Sequence, residues 1–188
     1  MLIGFGIFNK KKTMKKRKLI MIYFLSLVLG NHLFAQSEYV ILKKDSTKIH
    51  GEVSKFGSSI KINVIDNKLK YKLSEIIEYS KSGQIYQVFE LNGLYSSFPL
   101  MERGTVNLYI ISKGLEPNQT YLYYVKKSNQ DYPEKVKSAQ TSLHSKNFRE
   151  KYSEYFKECN RVKEMIINKE VKPVDIRYIV QTYNKCLQ

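Results

Sequence analysis

Ser59-Ile60-Lys61-Ile62-Asn63-Val64-Ile65-Asp66-Asn67-Lys68-Leu69-Lys70-Tyr71-Lys72-Leu73 is the stretch on which the fold turns. Ile60, Ile62 and Val64 alternate with Lys61 and Asn63, and Leu69, Tyr71 and Leu73 alternate with Lys70 and Lys72. A period of two with lysine on every second position describes strands with one face buried and the other in water. Asp66-Asn67 between them is turn chemistry, so the stretch reads as a hairpin. The same signals continue outward. Tyr39 to Lys43, Thr47 to Phe56, Ile76 to Tyr79, Ile85 to Glu90, Ser97 to Met101, Val106 to Ser112 and Thr120 to Lys127 are short β-like runs. Lys44-Asp45-Ser46, Phe56-Gly57-Ser58, Ser82-Gly83, Arg103-Gly104, and Gly114 with Pro117-Asn118 supply the turns between them. Closely spaced strands with tight turns predict an antiparallel β-region over residues 36–144, either a twisted meander or a small barrel with added strands.

After Ser145 the period becomes helical. Phe148, Tyr152, Tyr155, Cys159, Val162 and Ile166 form one stripe, and neither Pro nor Gly interrupts residues 142–170, which predicts an amphipathic helix of about six turns. Val171-Lys172-Pro173 breaks it, and Pro173 with Asp175 suits the start of a second helix whose face is Ile176, Ile179, Val180, Tyr183 and Leu187. Residues 145–188 thus read as a helical hairpin, and the fold class as α+β. Cys159 and Cys186 lie almost equally far on either side of its turn, so antiparallel packing brings them level. A disulfide there would close 27 residues and be worth roughly 3 to 4 kcal/mol by loop entropy. Buried free thiols and a catalytic thiol are the other readings of the pair.

Residues 1–35 have the layout of a secretory signal peptide: basic Lys15-Lys16-Arg17-Lys18, an apolar run from Leu19 to Leu29, and a cut after Ala35 that leaves Gln36 first. Met14 would start a leader of ordinary length. Eleven residues at about 1.5 Å each span only half of a ~30 Å hydrocarbon core, which favours a signal over a permanent anchor. Removing the leader lowers the net charge from +15 to +8, shared equally by residues 36–144 and 145–188. The sequence therefore places the protein in the periplasm or at the cell surface, where a disulfide persists.

Reaction chemistry is thinly supported. After the leader only His50 and His144 remain, without metal-ligand spacing, so no metal or cofactor is expected. No G-x-S-x-G or phosphate-cradling loop follows the leader. Glu150, Glu154 and Glu158 alternate with Lys151, Lys157 and Arg161 and read as a solvated helix face. Basic charge with Tyr121, Tyr123, Tyr124, Lys126 and Lys127 on one strand raises the question of nucleic acid. Charge spread over the chain, and export, argue against it and towards an anionic lipid head group, a glycan or an envelope protein. Those five residues are the candidate binding face, although alternation along the strand points first to a strand covered on both sides. The function expected is a non-enzymatic envelope binding or adaptor module. The alternative is a hydrolase of an envelope polymer using exposed carboxylates such as Glu75 and Glu78.

Lys43-Lys44-Asp45-Ser46-Thr47-Lys48-Ile49-His50-Gly51-Glu52-Val53, then Tyr71-Lys72-Leu73-Ser74-Glu75-Ile76, Phe98-Pro99-Leu100-Met101-Glu102-Arg103-Gly104, Val106-Asn107-Leu108-Tyr109, Tyr124-Val125-Lys126-Lys127, Tyr155-Phe156-Lys157-Glu158-Cys159 and Tyr183-Asn184-Lys185-Cys186 occur in that order. Together they resemble a family of small exported proteins of Gram-negative bacteria, over most of the chain after the leader. Members usually have Cys-Pro where this chain has Cys159-Asn160. The family has no established activity, so the resemblance implies export and a β-region followed by a two-cysteine helical hairpin, and assigns no functional residue. In strand rhythm the β-region also resembles an SH3- or Sm-like barrel, an analogy of fold alone.

Overall fold

Alternating residues make strands only where each finds a neighbour to pair its backbone N–H and C=O groups. The computed structural model describes residues 37–114, 117, 119–136 and 145–188. The expected signal peptide, its cut between Ala35 and Gln36, and His144 lie outside them. Among the described residues eleven strands form: β1 Tyr39–Leu42, β2 Lys48–His50, β3 Glu52–Phe56, β4 Ser59–Val64, β5 Asn67–Lys72, β6 Ile76–Lys81, β7 Gln84–Leu91, β8 Leu94–Glu102, β9 Val106–Lys113, β10 Thr120–Lys127 and β11 Glu134–Lys135. Three α-helices follow among the described residues: α1 Ser145–Tyr155, α2 Asn160–Ile167 and α3 Ile176–Cys186. The protein is α+β. One eight-stranded sheet runs β11-β10-β9-β8-β7-β6-β1-β2, and β3-β4-β5 make a second, smaller sheet. Every pairing is antiparallel, and β6 to β11 follow one another as a meander.

Hairpin chemistry sets the register. Ser82-Gly83 joins β6 to β7 and Asn92-Gly93 joins β7 to β8, each with both turn residues at positive φ. Such two-residue turns match the right-handed twist of the strands they connect. The run expected as one strand from Thr47 to Phe56 is two, because the chain changes sheets at Gly51. There its N–H donates to the Glu38 carbonyl, and a β-carbon would overlap the Asn63 carbonyl oxygen. Glu38 fixes the crossing: its carboxylate accepts the backbone N–H groups of Val53 (2.5 Å) and Ser82 (2.6 Å).

One face of the large sheet is covered twice. The small sheet packs on it through Val40, Val53, Ile60, Ile62, Leu73, Ile76 and Tyr79. Further along, the helices bury Val106, Leu108 and Val125 beneath Phe148, Tyr152, Phe156, Val162, Ile166, Ile176, Ile179, Val180 and Tyr183. The opposite face carries Phe98, Leu100 and Tyr109, with Phe89 and Tyr124 set edge-on to their rings.

The six-turn helix is a correction. It is broken after Tyr155, and Cys159 has extended backbone (φ −113°, ψ 99°) before α2 begins. The break lets α1 and α2 turn separate apolar faces onto the core, so that Phe148, Tyr152, Phe156, Cys159, Val162 and Ile166 are all buried. It also carries Cys159 to Cys186, to which it is disulfide-bonded with the α-carbons 6.0 Å apart.

Candidate functional site

Alternation along β10 separates the five residues of the candidate binding face. Tyr123 packs under the helices while Tyr124 joins the aromatic set on the opposite face. Lys126 Nζ lies 5.7 Å from the Phe89 ring on that same opposite face. Lys127 Nζ bonds both Glu158 carboxylate oxygens (2.8 and 2.9 Å) and sits over the Tyr155 and Tyr183 rings, which ties the sheet to the helices. Tyr121 alone of the five is largely exposed. Glu158 is exposed like Glu150 and Glu154 but lies in the helix break instead of on α1, and its hydrogen-bonded ion pair with Lys127 lowers its pKa to about 2.

The two carboxylates of the hydrolase reading have separate surroundings. Glu78 is buried, not exposed. It accepts from Tyr39 OH (2.7 Å), Gln87 Nε2 (3.0 Å) and Arg103 (2.5 Å). Burial pushes its pKa up, but the hydrogen bonds from Gln87, Arg103 and Tyr39 outweigh burial and hold it below the ordinary value. Burial, reinforced by the bond to Glu78, pushes the Tyr39 hydroxyl up to about 12. Glu75 lines a surface cleft of about 510 Å³ with Leu42, Lys43, Lys44, Asp45, Tyr71 and Ser74. Its Oε2 is taken by the Lys72 N–H (2.7 Å), and Asp45 Oδ1 by the Thr47 N–H (3.0 Å). Both acids of the cleft thus cap local turns. Among the described residues no group of three or more His, Cys, Asp or Glu is placed to hold a metal ion.

A different surface emerges from the register of the small sheet. Lys61 is paired with Lys70, Ser59 with Lys72 and Asn63 with Lys68, so all four lysines stand on the outer face. The pairings of β3 add Phe56 and Glu52 to that face, and Phe56 is 56% exposed. Glu52, the one acid on these three strands, accepts a hydrogen bond from Asn63 Nδ2 (3.1 Å). None of the four lysines forms an ion pair with an acidic side chain among the described residues. Lys61 Nζ instead lies 4.4 Å from the Phe56 ring centre. The alternation of lysines was legible in the sequence as a wet face. That they share one cationic face with Phe56 depends on which strands pair, and in which register.

Comparison of the chain with protein-family models, with curated proteins and with solved structures found no match. The class of protein that can be stated is the one its own geometry defines: an α+β protein with a helix-capped antiparallel meander and a small sheet displaying a lysine face.

Proposed function

We propose that this is a non-enzymatic binding module of the cell envelope that meets its partner through the outer face of β3–β5. The observation that carries the reading is the lysine face itself. Four cationic side chains with no ion-pair partner among the described residues, on one exposed sheet face, form a surface that attracts counter-charge. A hydrolase reading would need an acid of raised pKa beside a second carboxylate free to act; Glu75 and Asp45 do line one cleft, but each has an oxygen taken by a turn N–H. Glu78 is buried under three donors and held low, and Glu75 and Asp45 cap turns. The disulfide is compatible with an oxidising compartment, in keeping with the proposed export.

The experiment is in-cell cross-linking of the tagged protein, with a photoreactive residue at Lys70 in one strain and at Lys163 in another. Recovery of an envelope component from the first strain alone is the expected result. Equal products from both positions, or hydrolysis of an envelope polymer by the purified protein, would overturn the reading.

A further inference from the structure

We propose that the occupant of the lysine face is an anionic phospholipid bilayer surface; this rests on the binding-module reading and names its partner. The first ground is charge. Lys61 and Lys70 are directly opposed across β4 and β5, an arrangement of like charges that repels unless an anion lies over it. Lys68 and Lys72 extend the charge along β5, an edge strand of its sheet, and Glu52 is the only acid on the same face.

The second ground is shape. A sheet face exposes its side chains side by side over a broad open surface, so it can meet several head groups at once, where a pocket would enclose one small anion. The third is apolar flanking. Phe56 stands at the β3–β4 end of the face and Ile65, 92% exposed, at the β4–β5 turn, so large apolar side chains mark both ends of a lysine field. Lysine stems with ammonium heads at phosphate level, and a phenyl ring and an isoleucine entering the interfacial layer, are the components of reversible interfacial binding. A nucleic acid would instead call for several stacking rings, and this face offers Phe56 alone.

The test is co-sedimentation of the protein, as recovered from expressing cells with its N-terminus read by mass spectrometry, with two vesicle types. One is phosphatidylcholine alone and the other contains phosphatidylglycerol at roughly one lipid in three. Binding to the anionic vesicles only, at about 50 mM salt, with release at about 500 mM, is expected. Replacing Lys61, Lys68, Lys70 and Lys72 by Ser should weaken that binding roughly tenfold or more, whereas replacing Lys146, Lys163, Lys169 and Lys185 by Gln should not. Lys70→Glu is the second variant. It converts a repulsive pair into an attractive one, so it should keep or raise the thermal midpoint while losing vesicle binding.

Equal binding by Lys70→Glu and the unchanged protein would overturn the proposal, as would failure to bind anionic vesicles. Retention on an acidic polysaccharide, a nucleic acid or a cross-linked envelope protein without vesicle binding would overturn the lipid assignment and leave the binding module standing.

Discussion

Asn184 on α3 is a helix residue that behaves like a strand. It is buried, its Oδ1 accepts the Val106 N–H and its Nδ2 donates to the Val106 carbonyl, both at 2.9 Å. One side chain thus satisfies both backbone groups of a buried residue at the start of β9. Asn184→Ala should cost about 2 to 3 kcal/mol, because it leaves a buried donor and a buried acceptor unpaired. A denaturant titration reads this directly. A β-carbon at Gly104 would overlap the same amide, so Gly104→Ala should be markedly less harmful in an Asn184→Ala background than alone.

Lys169 offers the opposite sign. It has φ +64° just past α2, with the Lys169 N–H bonded to the Ile166 carbonyl and the Glu170 N–H to that of Met165. This is a helix stop that glycine fills without steric cost. Lys169→Gly should raise stability by about 0.5 to 1 kcal/mol, seen as a higher thermal midpoint.

At the scale of elements, the latch between β10 and the helix break predicts a pH dependence. The pKa of Glu158 falls from 4.5 to about 2 because Lys127 holds its charged form, with a further hydrogen bond from Tyr183 OH. The stability it contributes is therefore complete above about pH 4.5 and is lost as pH falls towards 2. Glu158→Gln should be less stable than the parent at pH 6, with the difference shrinking as pH drops to 2. A difference that stays constant over that interval would remove Glu158 from this role. The disulfide acts on the same elements, since it ties the break before α2 to the end of α3. Reduction should add 2 Da to the intact mass, and Cys159→Ala with Cys186→Ala should lower unfolding free energy by roughly 3 kcal/mol.

For the whole molecule, the shared core is decisive. Val106, Leu108 and Val125 from the sheet lie in one cluster with the buried residues of all three helices. A chain ending at Val136 would expose that cluster along a sheet face, so it should not give the dispersed amide spectrum of a folded protein, whereas the parent should. The α+β class, the antiparallel strands and the disulfide partners could be read locally, because hydrophobic period, turn residues and distance from a proline break are properties of neighbouring residues. The break after Tyr155 could not, since the apolar stripe continues through it without Pro or Gly and only packing around Phe156 and Cys159 interrupts the helix. The Tyr-rich strand was visible as tyrosines, but which face each one occupies follows from the layers above and below β10. Local sequence determined what each segment is. Tertiary structure decided which segments share a face, and so gathered Lys61, Lys68, Lys70 and Lys72 beside Phe56 while burying Glu78, because register and layer packing join residues far apart along the chain.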